Sequence, residues 1–434
     1  MSTQTILPID RQAIVELSQS RQEPEWMTNL RAEALELAGS LELPKLEKTR
    51  IDRWNLRSYG SYKAEAALTT LEQLPESAKA LLQNENPENL LVQKNASIVY
   101  HKASEELAKQ GVIFTSLEEA LKLHSDLVKS HFGKAVAKDE NQVTALHTAI
   151  WSGGVFLYVP KNVQVEVPVQ ALFLTDDADA TFSPHVLIVA EENASVTYVD
   201  NFVSEGNLNN LVQNGVVEVI VKPGATVNFA SVHNLNDSIT DLTYRRAVVE
   251  NDATINWVIG EMNYGNAMSD TTSILKGNGS NSDAKIICVG TNDQKLNVTT
   301  RAVHFGKNSS SDMITRAVMR DESTAIINGI TKIEKAATGA NGQQTEKVLM
   351  LSPKARGDAN PILLIDEDDV KAGHAASVGQ VNPEQIHYLM SRGITREEAQ
   401  RLVIYGFLAP VVSEIPMEKV QSQLQSLVER KLGQ

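Results

Sequence analysis

The chain has a single cysteine, Cys288, in 434 residues. One thiol excludes an intramolecular disulfide, a cysteine-rich zinc site and any cluster held by four cysteines of one chain. Aromatic residues are scarce at 5%, so most of the core must be Val, Ile, Leu and Ala. No stretch reaches the ~18 apolar residues that cross a bilayer. The opening MSTQTILPID lacks the basic flank and apolar core of a secretory signal. A cytoplasmic chain with no membrane partner is therefore expected. Positive charge is short as well: 40 Lys and Arg stand against 54 Asp and Glu, a net of −14. Nucleic acid is excluded as an expected partner, because phosphate-binding faces are basic. The P-loop, the G-x-G-x-x-G turn, H-E-x-x-H and G-x-S-x-G are all missing, which removes P-loop nucleotide chemistry and the common hydrolase signatures.

What is present suffices for a folded chain: 42% hydrophobic and 22% charged residues indicate a globular protein with a sizeable core. Three regions are expected. Residues 1–148 read as a helical to mixed domain. Leu30, Ala34, Leu37 and Ala38 recur at helical spacing, and Gly39 stops that helix. Residues 90–100 have strand character. Residues 116–130 read as one amphipathic helix, with Ser116 as N-cap and Glu119 completing a capping box.

Residues 149–370 read differently. Short Val/Ile/Thr-rich runs alternate with Gly, Asn and Asp, and the segments resemble one another. VLIVAEENASVTYV, VEVIVKPGATVNFA and RRAVVENDATINWV each hold an apolar strand, a tight Asn/Gly/Asp-Ala corner and a second alternating strand. Aligned on Ala194, Ala225 and Ala253, they are spaced by 31 and 28 residues, with weaker copies at Gly279-Ser280 and Asn308-Ser309. Strands and corners at such a period indicate a coiled parallel β-structure, in which stacked coils bury what one coil cannot. An antiparallel sandwich of hairpins stays open as the alternative. Residues 371–434 return to helix. Asn382-Pro383 and Thr395-Arg-Glu-Glu398 are helix starts, Gly393 is a stop, and Val420, Leu424, Leu427 and Val428 share one face of a helix begun at Pro416. The helix opened at Thr395 is expected to run through Phe407 and stop before Pro410.

Most of the nine histidines are isolated and read as structural or surface residues. His374 differs: Asp366, Glu367, Asp368 and Asp369 precede it, and Gly373, Ala375 and Ala376 leave it accessible. Imidazole suits iron and other transition metals. Spacing alone equally describes a linker loop with solvated carboxylates. A β-helix enzyme acting on carbohydrate is the competing class, but it needs paired acids in a groove, and Asp241 and Arg301 show no such cluster in the sequence.

The segment LSPKARGDANPILLIDEDDVKAGHAASVG, residues 351–379, and its continuation YLMSRGITREEAQRLVIYGFL, residues 388–408, resemble the signature region and helical module of the SufB/SufD family. Weaker similarity runs upstream to the Leu43-Pro44 and 50–56 segments. Within the family the chain resembles the SufD branch. SufB members have a His-Glu pair where Ala375 follows His374 here, and Ala372 stands where many SufD members have a cysteine. The resemblance implies a right-handed parallel β-helix flanked by N-terminal and C-terminal helical domains. It also implies a non-enzymatic scaffold subunit in iron–sulfur cluster assembly. Its partners would be SufB, as a heterodimer, and the SufC ATPase, with a homodimer when the chain is alone. No permanently bound cofactor is expected, only iron or a nascent Fe–S cluster held transiently with SufB, and His374 is the residue expected to take part. Pairing with SufB is expected through strands near the end of the solenoid, about residues 320–370. SufC is expected on the C-terminal module, with Tyr388, Leu389, Arg392, Leu402 and Phe407 as candidate contact residues.

Overall fold

Residues 9–82, 87–206, 208–413 and 418–433 are described by the computed structural model. Two long sheets dominate. Among the described residues one has ten strands and the other nine, and successive strands of the chain alternate between them. From Val155 to Gln380 the chain therefore winds through eight coils of two strands each. Neighbouring coils pair in parallel. The antiparallel sandwich is thereby excluded.

The register explains the repeat seen in the sequence. Ser195, Thr226, Thr254, Asn281, Ser310, Asn341 and Lys371 lie side by side across seven coils. The residue before each of the first six is small and buried: Ala194, Ala225, Ala253, Ser280, Ser309 and Ala340 are all at most 1% exposed. One residue earlier the backbone turns left-handed at Asn193, Gly224, Asp252, Gly279, Asn308 and Gly339. Glycine reaches that region freely, and Asn and Asp tolerate it best of the rest. The Asn/Gly/Asp-Ala corners are thus a steric requirement of the coil.

Between the sheets lies one continuous core of Val, Ile, Leu and Ala. Seven of the aromatics are buried there. Tyr198, Phe229 and Trp257 occupy one register column, with ring centroids 5.4 and 5.0 Å apart. Each fully buried large side chain contributes about 1.5–3 kcal/mol, and a coil gains this only when a neighbour covers it.

Helices pack on both outer faces. Glu25–Ser40 and Gln142–Ile150 cover the nine-stranded sheet through Ala34, Leu35, Leu146 and Ile150 against Val212, Leu242 and Met268. Arg396–Val412 and Glu418–Lys431 cover the ten-stranded sheet through Ile404, Leu408, Leu424 and Val428 against Val232, Val258 and Ile287. Two helical expectations are corrected. The 116–130 segment is two helices, Leu117–Leu123 and Ser125–His131, broken at His124, although Ser116 does cap the first. Helix Arg396–Val412 runs through Pro410, because an exposed proline two residues from the end forfeits little of the ladder. The expected start at Pro416 lies outside the described residues.

The two ends of the solenoid differ. At the start, the antiparallel hairpin Leu90–Lys94 and Ser97–Lys102 closes one sheet, and antiparallel Ile113–Ser116 closes the other. At the finish, strands Arg356–Ile365 and Lys371–Gln380 are sheet edges. The last strand carries the solenoid ten residues into the segment expected to be helical.

Candidate functional site

The open end is where the expected site residue lies. Lys371 N–H donates to Ala340 O at 2.8 Å and Val381 N–H to Met350 O at 3.2 Å. In a parallel ladder alternate residues bond to the same neighbour, so the even-numbered residues of the last strand present N–H and C=O groups outward. These include Ala372, His374, Ala376 and Val378. On the penultimate strand Arg356 and Asp366 donate inward, to Ser323 O and Ile333 O, which leaves Gly357, Ala359, Leu363 and Ile365 outward. Pro361 falls in this outward set, where its missing N–H costs nothing. Nearly every residue of the last strand is exposed, and Leu364, Ile365 and Val378 are exposed apolar residues beside it. An uncovered pair of edges this long invites another chain. Within the expected interface range of 320–370, strand Thr324–Ile333 is paired on both sides, whereas Arg356–Ile365 is an edge.

His374 is on the last strand and not in a linker loop. It stands opposite Gln344 and makes no hydrogen bond or ion pair among the described residues. The acidic run does not converge on it. Those residues form the corner before the strand, and five residues of strand at about 3.3 Å each separate Asp369 from His374 by roughly 16 Å. Glu367 is spent on structure, accepting from Ala336 N–H at 2.8 Å and Asp368 N–H at 3.0 Å.

Beneath His374 the solenoid interior turns polar. Along one column the inward residues run Trp257, Ala284, Met313, Gln344, His374; along the next, Ile259, Ile286, Thr315, Glu346, Ala376. Gln344 and Glu346 are 2% and 1% exposed. Gln344 Oε1 accepts from Thr331 Oγ1 across the core at 2.8 Å, but its Nε2 has no partner, and neither has Glu346 Oε2. The Glu346 carboxylate lies in the space left by the absent side chain of Gly329, where a Cβ would collide with it. Burial pushes this carboxyl up to about 7. Sequence spacing had not singled out Glu346 or Gln344.

A second polar group lies deep inside. His233 Nδ1 bonds Asp241 Oδ2 at 2.6 Å, and Asn263 Nδ2 donates to the same oxygen at 2.6 Å. Arg245 donates to Glu261 Oε1 at 3.1 Å and lies 2.8 Å from His233 Nε2. Asp241 is thus clustered after all, contrary to its reading as an isolated charge. The cluster is fully buried, and the Arg245 guanidinium already supplies the positive charge that a metal would bring to His233, Asp241 and Glu261. Nearby Asp200 is pushed up to about 6 by burial. His147, His185 and His304 are also buried and hydrogen-bonded, as expected of structural histidines. Cys288 is fully buried, and its thiol is pushed up to about 12.

The C-terminal candidates gather only in part. Helices Pro383–Ser391 and Arg396–Val412 enclose a groove of about 690 Å³, lined by Tyr388, Leu389 and Phe407 among others. Arg392 stacks on the Tyr388 ring at 5.1 Å and donates to its hydroxyl at 3.2 Å. Leu402 is exposed but does not line the groove. Among the described residues no helix is long and apolar enough to cross a membrane.

A parallel β-solenoid with helices on both faces and one uncovered end corresponds to a known family. Residues 173–407 match the model described as "SUF system FeS cluster assembly, SufBD core domain", and residues 15–171 match the SufBD protein N-terminal region. The chain belongs to the SufBD family. Among its relatives it is 48% identical to the iron-sulfur cluster assembly protein SufD of Bacillus subtilis, over the whole of both chains. It is 30% identical to SufB of the same organism, over 94% of this chain and 90% of that one. It is also 29% identical to a SufBD family protein of Staphylococcus haemolyticus, over 93% and 89%. The resemblance read from residues 351–408 therefore holds along the whole chain.

Proposed function

We propose that the chain is a non-enzymatic scaffold subunit for iron–sulfur cluster assembly, acting in the manner of SufD. The observation that carries this reading is the open end of the solenoid, which presents two bare strand edges with His374 on one of them. A SufB-type chain has a homologous solenoid, so its own last coil offers matching edges, and a pseudo-two-fold pair satisfies both. A homodimer through the same edges is expected when no SufB is available. Parallel crossovers are right-handed in about 98% of cases, and the same hand is proposed for these coils.

In this reading iron and sulfide are cargo, and no cofactor stays bound. With Cys288 buried, the chain has no accessible thiolate to hold a cluster by itself. His374 would add an imidazole to a nascent cluster whose thiolates belong to the partner. The groove at Tyr388, Leu389 and Phe407 is proposed to dock a SufC-type ATPase, with Arg392 and Leu402 at its rim. ATP-driven movement there would be transmitted through the helices packed on the ten-stranded sheet. The cytoplasm is the proposed compartment. Co-expression with SufB and SufC, followed by iron and acid-labile sulfide analysis of the purified complex, tests the reading. A chain that recruits neither partner would defeat it. Deletion from Asn382 onward should abolish SufC binding, and retained binding would move that surface elsewhere.

A further inference from the structure

We propose that Glu346 and His374 together ligate a divalent transition-metal ion at the mouth of the solenoid, with the Gln344 amide donating to a water on that ion. The inference rests on the reading of His374 as a site residue and extends it to a second ligand on the neighbouring strand.

The geometry points there from three sides. Glu346 and His374 belong to inward-facing positions of adjacent strands, one diagonal step apart. With about 4.8 Å between strands and two residues along the strand, their Cα atoms lie about 8 Å apart, a span that an imidazole and a glutamate close around one ion. Both the Glu346 Oε2 and the Gln344 Nε2 are buried and left without partners, and a buried polar group left so is costly. A hydrated cation answers both: it takes the carboxylate as a ligand, and its water accepts from the amide. Finally, the coil above carries small side chains over this spot: Ala376 lies over Glu346 and Pro361 over Gly329, with the larger Leu363 and Ile365 further along the strand. His374, over Gln344, is the one metal-ligating side chain that the last strand holds beside Glu346. Gly329 completes the arrangement by leaving room for the carboxylate.

Imidazole with a carboxylate and water suits ferrous, cobaltous, manganous or zinc ions. The site keeps open positions, and those face the edge where a partner would bring thiolates. Iron would then be held by the free chain before the pair closes.

The test uses the isolated full-length chain under anaerobic conditions, titrated with Co²⁺ and followed by its visible absorption. One equivalent should bind. Glu346→Gln and His374→Ala should each weaken binding at least tenfold, and Gly329→Ala should do the same by displacing the carboxylate while leaving His374 intact. Thermal unfolding of each variant verifies the fold. Glu346→Gln keeps the shape of the side chain and serves as the deciding variant. Failure to bind Co²⁺ would mean that ordered water alone serves the two buried groups, and would overturn the proposal. So would binding that Glu346→Gln leaves unchanged. Either result is separable from the assembly role, since His374→Ala is read independently as cluster content in the SufB-containing complex.

Discussion

Proline at Ala376 is expected to separate folding from partner binding. Ala376 is an even-numbered residue of the last strand, so its N–H faces away from strand Asn341–Met350. Removing that donor costs the chain no internal hydrogen bond. If the edge pairs with a partner, the substitution removes one bond and strands a carbonyl in a buried ladder, a penalty of about 1–3 kcal/mol. At 1.4 kcal/mol per tenfold, association weakens by about 5- to 150-fold. Ala375→Pro is the matched control. Its N–H lies on the side that donates into the preceding strand, so it should lower unfolding stability as well. Sedimentation equilibrium with a SufB-type partner measures association, and urea unfolding of the isolated chain measures stability. If Ala376→Pro binds with unchanged affinity while folding normally, the open edge is not the interface.

Other substitutions probe the remaining parts. His374→Ala should shift Tm by no more than ~2 °C, because the ring is exposed and unbonded, and should leave the complex assembled while acid-labile sulfide falls sharply; full sulfide content would remove His374 from the mechanism. Glu218 accepts from the N–H groups of Gly133, Ala135 and Val136 at 2.7–2.9 Å and contacts His185, so Glu218→Ala should cost about 3–5 kcal/mol in urea unfolding. Cys288 should ignore thiol reagents at pH 8 until the chain unfolds, since the buried thiol stays protonated.

Local signals are legible in the sequence where local physics decides. The capping box at Thr395 and Glu398 is formed as its spacing requires, since both partners lie within one turn. The corner triplets at Ala194, Ala225 and Ala253 marked real coil corners, because a left-handed backbone and a buried Cβ restrict the residue types tightly. The break at His124 was not legible: no glycine or proline marks it, and the backbone there bends to φ −134° while the flanking residues still look helical. The last strand was missed for another reason. Lys371–Gln380 is exposed along nearly its whole length, so it lacks the apolar alternation that reveals a half-buried strand.

The site was legible only at its sequence-adjacent part. His374 stood out because small residues and acids flank it, yet those acids turn out to form a corner. Its spatial neighbours, Gln344 and Glu346, are about one coil earlier in the chain, and nothing in sequence marks a residue that lies one coil away. The same holds for Asp241, which bonds His233 and Asn263 and is joined through His233 to the Arg245–Glu261 pair.

That buried group yields a pH prediction with a definite sign. Asp200 is 0% exposed, with the Ser231 and Tyr198 hydroxyls beside its carboxylate. Burial raises its folded pKa from 3.8 to about 6. Between those values the folded chain keeps a proton that the unfolded chain has released, so stability falls as pH rises through that window. The contribution is complete below pH ~4 and lost above pH ~6, and the gap corresponds to about 3 kcal/mol. Asp200→Asn keeps the shape and has no proton to lose. The variant should therefore be more stable than the wild type at pH 7.5, by up to about 3 kcal/mol, with the advantage shrinking toward zero as pH approaches 4. Urea unfolding of both proteins at pH 4, 5, 6 and 7.5 reads the difference directly. A difference that is constant across the series would mean that Asp200 is ionised in the folded chain, with Arg245 and His233 holding its charge. The interior cluster would then be a network of paired ions, and the proton would have no part in its balance.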